Sequence, residues 1–371
     1  MSHDHAPAPV RGRFLTPGVL GVLAVAAVGI AFYLARMVLG LGRMTNLNDQ
    51  YPWGIWIAVD VATGVALAAG GFTTAALAHI LHRDKYHALV RPALLTAMLG
   101  YTFVVIGLLA DLGRWYNVWH PVLPSMWQGN SVLFEVGMCV MIYLTVLYIE
   151  FVPVVVERFK GRVALPGPWR RLNGLAEGSL RLAERTLGRF MFLFIIAGVV
   201  LSCLHQSSLG ALMLIAPTKV HPLWYTPILP LLFLLSAISV GFPMVIFESL
   251  LASRSFGLKP ETRLLGRLAR IVPGLLGAYL AAKVIDLTLR GGWHYVTEMS
   301  LQSVMWLIEM AGGWLLPLVL FALPRVRRSA AGMLTAASLV VLGVALNRIN
   351  VFLVAYKPLY GDRPYIPSLF E

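Results

Sequence analysis

Ten ionisable side chains lie inside long apolar runs of this 371-residue sequence, and they are its chemically informative residues. A charged group in such a run is costly, so each one needs a partner, a ligand or a proton to carry. The ten residues are Arg36, Asp60, Asp111, Glu135, Glu150, Glu248, Lys283, Asp286, Glu309 and Arg348.

Glu135 and Glu150 share one apolar run, with Tyr143 between them. At about 1.5 Å per helical residue they are about 22 Å apart, which is most of the thickness of a bilayer core. This spacing predicts part of a proton path through Glu135, Tyr143 and Glu150. The alternative is structural: Glu135 pairs with Arg36 or Arg114, and Glu150 reaches the interface near Arg158.

Lys283, Asp286, Glu309 and Arg348 form a second polar cluster whose formal charges cancel. Lys283 and Asp286 are i,i+3 neighbours on one predicted helix, where side chains meet. Structural pairing is therefore the simpler interpretation, and an ion path is the alternative.

The apolar runs predict an all-α integral membrane protein. Hydrophobic residues make up 58% of the chain and charged residues 13%, whereas soluble domains carry about 25% charged residues. The runs are continuous, and each is long enough to cross a bilayer as a helix. We predict nine transmembrane helices, over residues 15–42, 54–80, 91–113, 131–156, 189–216, 226–251, 264–288, 302–323 and 330–352.

Basic residues alternate between the two sets of connections. Of the 30 Lys and Arg, 21 lie on one side, 6 on the other and 3 within helices. Because positive charge stays on the cytoplasmic side, the N-terminus is predicted to be cytoplasmic and the C-terminus to lie outside. The net charge of +13 reflects this bias and attraction to anionic lipid, and does not indicate nucleic-acid binding.

Aromatic and polar residues crowd the outer connections near Asp60, Asp111 and Glu135. A quinone needs a flat apolar slot, donors for its carbonyl oxygens and a proton source, and these residue types supply all three. An interfacial aromatic belt is the alternative for any single tryptophan. The residues are Trp53, Arg114, Trp115, Tyr116, His120, Trp127 and Asn130.

No haem or metal is expected in this chain. A membrane haem b needs two histidines at matching depth, and His79 and His205 lie at different depths in the predicted helices. Cys139 and Cys203 are too few for a cluster and are typical of packed apolar residues. Any redox centre is therefore expected in a partner.

Several long motifs resemble the NrfD/PsrC family of quinone-interacting membrane subunits, most closely its HybB-type branch, which serves uptake [NiFe]-hydrogenases. The resemblance covers nearly the whole chain. The motifs are Tyr51–Gly54, Asp111–Pro121, Asn130–Cys139, His205–Gly210, His221–Tyr225 and Ile246–Ser249.

The resemblance implies two four-helix bundles, no haem, and quinone (menaquinone or ubiquinone) bound near the outer face. It divides the chain into a cytoplasmic tail 1–14, an N-terminal bundle 15–156 with the quinone site, a basic cytoplasmic loop 157–188, a C-terminal bundle 189–323, and an extra helix with a periplasmic tail, 324–371. By matching motif, the quinone residues would be Asp60, Tyr101, Asp111, Arg114, His120 and Glu135, with Arg91 and Glu150 as an inner proton route.

The resemblance also implies partners: a periplasmic, ferredoxin-like subunit with four iron–sulfur clusters, and a catalytic subunit such as a [NiFe]-hydrogenase. The expected location is the bacterial cytoplasmic membrane. A related branch that serves sulfite-reduction-linked complexes shares some motifs, so the catalytic partner stays open. A passive membrane anchor and a secondary transporter are the competing function classes. Longer relatives continue beyond a Tyr-x-Pro-Ser segment like that at Tyr365–Ser368 into a tenth helix, so nine or ten helices both remain possible.

Overall fold

The computed structural model describes residues 15–77, 86–164, 166–360 and 364–371, without the side chains of His87 and Ala88. This part of the chain is helical and has nine helices long and apolar enough to cross a membrane, which confirms the predicted class and count. The predicted tail 1–14 lies outside the described residues. The nine are α1 (Pro17–Leu39), α2 (Ile57–Ala75), α3 (Leu89–Asp111), α4 (Val132–Phe159), α5 (Asn173–Leu214), α6 (Leu229–Ser255), α7 (Thr262–Leu289), α8 (Leu301–Ala322) and α9 (Ala330–Val354).

Local sequence sets several helix starts. The hydroxyls of Thr16, Ser131, Ser300 and Ser329 each accept a hydrogen bond from a backbone N–H three residues later. This N-cap satisfies one of the free donors of the first turn.

Two ends of the helix assembly can be distinguished. The aromatic end carries the connections 40–56, 112–131, 215–228 and 290–300 and the segment 364–371. The basic end carries the starts of α3, α5, α7 and α9. Because the number of helices is odd, α1 starts at the basic end and α9 finishes at the aromatic end.

The prediction that residues 157–188 form a loop is wrong over most of this segment. Helix α4 continues to Phe159, a 3-10 turn covers Gly167–Leu172, and α5 begins at Asn173. At about 1.5 Å per residue, the 42-residue α5 is about 63 Å long, twice the bilayer core, so its basic half extends beyond it. Polar residues concealed this extension, because a helix outside the bilayer needs no apolar run. Lys160 Nζ to Glu184 Oε2 (2.5 Å) ties it to the end of α4.

The helices pack in two sets. One set consists of α2, α3, α4 and α5, and the other of α6, α7, α8 and α9; α1 lies at the edge and contacts α3. The sets share a large interface, because α2 packs on both α6 and α9 and α5 packs on α6. The division of the chain into an N-terminal bundle, 15–156, and a C-terminal bundle, 189–323, stays a prediction.

Small residues let neighbouring helices approach closely. A Cβ added at Gly313 in α8 would lie 2.5 Å from Gly343 Cα in α9, so the two backbones touch. Gly313 belongs to a π-helical turn, Glu309–Leu315, next to an α-helical segment of α9. Gly312, the adjacent residue, has open space at its Cβ position.

Gly313→Ala is expected to separate α8 from α9 and to destabilise the fold by about 1–3 kcal/mol, the usual cost of overpacking. The measurement is the melting temperature of the purified protein in detergent. Gly312→Ala makes the same chemical change with no clash and is the matched control. Equal melting temperatures for the two variants would contradict the close approach.

Candidate functional site

A cavity of about 970 Å³ lies between α1, α2 and α3, with the C-terminal segment at one side. Its lining is mainly apolar, and Val25, Val28 and Phe103 in this lining remain exposed, so the cavity can be reached from the outer surface of the helices. Asp60 and Glu371 are its two carboxylates. An apolar cavity of this size with few polar groups is typical of a ligand site.

Asp60 reaches this cavity from a π-helical turn, Ile57–Thr63, at the start of α2. Such turns insert an extra residue and recur at functional sites. On α3, a Cβ at Gly107 would lie 2.6 Å from Asp60 Cβ, so glycine is what allows Asp60 to pack there. The side chain of Asp60 is exposed to the cavity.

Arg36 and Asp111 bring further charge to the same region. Arg36 is only 1% exposed, and its Nη2 donates to Leu112 O while Nε and Nη1 have no partner among the described residues. Asp111 Oδ1 is likewise buried without one, and Asp111 interacts electrostatically with Arg36, Glu371 and Asp60. These four groups form a charge cluster beside the cavity.

The C-terminal segment 364–371 covers the aromatic end of the cavity. Phe370 packs edge-on against Phe32 of α1 at 5.4 Å, and Trp56 Nε1 donates to Glu371 O at 2.9 Å. The Glu371 carboxylate accepts hydrogen bonds from the Tyr365 hydroxyl and from the Asn46 backbone N–H. Burial, and then the hydrogen bond to Glu371, raise the pKa of Tyr365 above its ordinary value.

A second polar region fills the interior between α3, α4 and α5. Tyr101 Oη lies 3.2 Å from His205 Nδ1, and its ring meets Tyr143 edge-on at 4.5 Å. Ser202 Oγ lies near the Tyr143 hydroxyl, but these two atoms and His205 Nε2 are buried without a well-formed hydrogen bond in the described part of the chain. Buried atoms of this kind are usually met by ordered water.

Glu135 and Glu150 lie towards the two ends of this interior. The Ser208 hydroxyl on α5 donates to Glu135 Oε1 at 2.5 Å. Glu150 rests against α5 at Gly198, where an added Cβ would be 2.7 Å from its Oε1. The pairings considered from sequence, Glu135 with Arg36 or Arg114 and Glu150 with Arg158, are not found among the described ion pairs. Arg91 pairs with Glu157 at 2.5 Å, not with Glu150.

The remaining predicted quinone residues lie elsewhere, on the outer surface of the aromatic end. The connection 112–131 runs over it as short 3-10 turns. Trp115 is fixed by donating to Met37 O at 3.2 Å. Arg114, Trp115, Tyr116, Trp127 and Asn130 are exposed and His120 is partly exposed. Trp53 packs instead against Phe352 and Tyr356 at the end of α9. The structure therefore distributes the predicted site residues over the cavity, the interior and this surface.

The second polar cluster is a buried hydrogen-bond network centred on Glu309, in which Arg348 Nε and Asn350 Oδ1 have no partner among the described residues. Glu309 is fully buried and accepts from Trp224 Nε1 (2.9 Å), Asn347 Nδ2 (2.7 Å) and Asn350 Nδ2 (2.7 Å). Arg348, also fully buried, donates to Ser236 Oγ and lies over the ring of Phe233 at 3.7 Å.

Lys283 and Asp286 do not form the direct i,i+3 ion pair that their spacing suggests, although Asp286 still interacts electrostatically with Lys283. Lys283 Nζ donates to Leu223 O at 2.8 Å, and Asp286 pairs with Arg290 at 2.6 Å and accepts from Thr226. The reason is tertiary: the 215–228 connection folds over α7 and offers both a carbonyl and a hydroxyl there.

The described residues do not fit a bis-histidine haem. Of the histidines with described side chains, only His205 lies in a spanning helix, and its ring packs against Tyr101 at 5.6 Å. No group of three metal-ligating side chains occurs in the described ranges. His79 lies outside them, so the expected absence of haem stays a prediction.

Three features at or beside the cavity are not predicted from the sequence as parts of a site: Gly107, the segment 364–371 and Arg36. Gly107 has no distinctive sequence signal, and 364–371 reads as a tail. For Arg36 the available signal is its position near the end of an apolar run, at the same predicted depth as Asp111.

Comparison with known proteins shows family similarity over most of the chain. A family model described as "Polysulphide reductase, NrfD" matches residues 43–358. The chain is 34% identical to the probable Ni/Fe-hydrogenase 2 b-type cytochrome subunit of Escherichia coli K12, covering 100% of this chain and 90% of that one. It is 41% identical to a protein of Nitratidesulfovibrio vulgaris (96% and 88% covered), and 26% identical to the integral membrane subunit of menaquinone reductase of the same organism (92% and 83% covered).

Glu309→Gln is expected to destabilise the fold by about 3 kcal/mol, because it removes the anion that interacts electrostatically with Lys283 and Arg348 and leaves at least one N–H donor without an acceptor. The measurement is the melting temperature in detergent. Glu298→Gln, an exposed carboxylate at the same end, is the control and should change little. An unchanged melting temperature for Glu309→Gln would show that the network does not stabilise the fold.

Proposed function

The chain belongs to the NrfD polysulphide reductase family, and from that premise we propose that it is the quinone-reactive membrane subunit of a respiratory oxidoreductase complex. The observation that carries the proposal is the apolar cavity at Asp60. The names of two relatives, a hydrogenase membrane subunit and a menaquinone reductase membrane subunit, agree with it.

The cavity suits a quinone (menaquinone or ubiquinone) in size, polarity and access. Its apolar walls match the ring and the isoprenoid tail, and its volume lies within the range of small-molecule sites, about 300–1,000 Å³. Access between α1 and α3 lets a lipid-dissolved molecule enter from the side. A ring lying beside Gly107 would place a carbonyl oxygen near Asp60.

Reduction of a quinone consumes two electrons and two protons. Asp60 is the carboxyl group placed to give a proton to the reacting oxygen, and the Arg36 guanidinium, with two unpartnered nitrogens, stabilises negative charge developing nearby. Asp111 interacts electrostatically with Arg36 and partly offsets the cost of burying its charge. The protein thus supplies binding, orientation and protons, and a partner supplies the electrons.

The exposed aromatic surface of the 112–131 connection is the proposed docking face for that partner. Trp119 and Trp127 are each about half exposed, at 51% and 50%. Aromatic side chains and arginine are enriched at protein interfaces. The partner is proposed to be a periplasmic ferredoxin-like subunit with four iron–sulfur clusters, linked to a [NiFe]-hydrogenase or, in the alternative, to another iron–sulfur or molybdenum enzyme. The aromatic end would then face the periplasm of a bacterial inner membrane, with the N-terminus in the cytoplasm.

The interior polar region is the proposed proton route from the basic end towards the aromatic end, where the cavity lies. Glu150, Tyr143, Ser202, His205 and Glu135 follow the α4–α5 interface from the basic end to the aromatic end. The unpartnered atoms in its middle are the places where bridging waters would continue the chain. Proton uptake from the basic end during reduction by a periplasmic donor would conserve energy.

Asp60→Asn is expected to lower quinone-linked electron transfer roughly 100-fold, because a neutral amide cannot supply the proton. The measurement uses membranes with the assembled complex and compares quinone reduction with direct dye reduction by the partner enzyme, which should be unchanged. Glu135→Gln tests the α4–α5 route in the same assay. Asp49→Asn, an exposed carboxylate at the same end, is the matched control. Full quinone activity in Asp60→Asn would reject the cavity as the site, and full activity in both variants would favour a passive anchor.

Glu150→Gln is expected to abolish proton uptake from the basic-end compartment during turnover. The measurement is the internal pH change of liposomes containing the oriented complex, followed with a trapped dye. Glu184→Gln, exposed on the basic part of α5, controls for surface charge. Normal uptake in Glu150→Gln would remove this residue from the route without affecting the assignment of Asp60.

A further inference from the structure

A second cavity, of about 510 Å³, lies at the basic end between the start of α7 and the α8–α9 connection. We propose that it binds the phosphate groups of an anionic lipid. Its lining carries five arginines and no carboxylate, which sets it apart from the Asp60 cavity. The arginines are Arg263, Arg267, Arg270, Arg327 and Arg328.

Close backbone packing builds this arginine pocket. A Cβ at Gly266 would lie 2.6 Å from Arg327 O, so α7 and the connection touch at that point. A short turn, Pro324–Arg327, then directs the chain back into α9. The two arginine-bearing walls are therefore held together by the fold.

The guanidiniums of the arginine pocket are free to bind an external anion. Three other basic residues at this end do have carboxylate partners: Arg91 with Glu157, Lys160 with Glu184, and Arg181 with Glu177. The guanidinium groups of the arginine pocket have no carboxylate partner among the described residues. One of them donates a hydrogen bond to protein in this part of the chain, from Arg327 Nη2 to Ala322 O at 3.3 Å. Five like charges in one small space repel each other unless an anion joins them.

Arginine favours phosphate over other anions in such a pocket. Its planar fork gives two parallel N–H···O bonds to a phosphate, and several forks can hold two phosphates at once. Phosphate could come from a lipid head group or from a soluble ion, and both share this chemistry.

The surroundings favour the lipid. The pocket lies where α7 and α9 begin and α8 finishes, which places it at the edge of the apolar layer. Large apolar side chains in the adjoining chain segments are exposed: Leu323 (47%), which precedes the lining residue Pro324, and Phe256 and Leu258 (56% each) in the α6–α7 connection. Basic pockets between membrane helices beside apolar surface bind phospholipids with multiply charged head groups.

The test is lipid retention by the purified full-length protein, or its complex, in detergent. Native mass spectrometry would compare cardiolipin, phosphatidylglycerol and phosphatidylcholine, with inorganic phosphate as the soluble probe. Wild type is expected to retain cardiolipin best, and Arg267→Gln with Arg327→Gln should weaken this binding roughly 30-fold, given the usual contribution of a basic residue near anionic lipid.

Arg170→Gln with Arg171→Gln is the matched control, because it removes the same charge from exposed arginines outside the pocket. This pair should retain cardiolipin like wild type, while melting temperatures confirm that both double variants fold. Equal retention in the two double variants would overturn the proposal, since charge anywhere would then suffice. Displacement of cardiolipin by millimolar inorganic phosphate, or no preference among the three lipids, would also overturn it.

Discussion

The need to satisfy polar groups without water governs this structure. In the apolar layer each buried charge costs several kcal/mol unless a partner is present, so every one of them marks a place where the fold supplies something. Glu309 has three N–H donors around it, and Lys283 has a backbone carbonyl. Each region also keeps buried atoms without partners, Arg348 Nε and Asn350 Oδ1 near Glu309 and atoms of Arg36 and Asp111 near Asp60, but the second set lies beside a cavity. The same constraint thus yields a network of protein partners around Glu309 and a charge cluster that adjoins a cavity at Asp60.

This contrast distinguishes structural from functional charge better than residue type does. Both clusters contain arginine, aspartate and aromatic residues, and both involve π-helical turns, at Ile57–Thr63 and Glu309–Leu315. Around Glu309 the turn packs its polar groups inward, and the aromatic rings of Tyr279 and Trp314 stack at 3.6 Å. Around Asp60 the turn points a carboxylate into space large enough for a ligand.

Glycine decides how close the functional helices come. Gly107 admits Asp60, Gly198 admits Glu150, and Gly313 with Gly343 brings α8 onto α9. Each glycine replaces a side chain by backbone surface, which is how helices associate where lipid offers no hydrophobic drive. The α4–α5 and α2–α3 contacts that carry the proposed chemistry depend on these positions.

Bilayer thickness and the cost of charge act on any helix regardless of its neighbours, so the all-α membrane class, the nine spans and the identity of the buried charges can be predicted from the amino-acid sequence. The motifs in the sequence also indicate the family. The sequence does not determine which charges meet. That Asp60 opens to a cavity, that Glu135 bonds Ser208 rather than arginine, and that Asp286 pairs with Arg290 were decided by tertiary structure. Partners contributed by distant segments, such as Leu223 for Lys283 and residues 364–371 for the cavity, have no local signature. The polar extension of α5 cannot be predicted from an apolar run, because a helix outside the bilayer needs no such run.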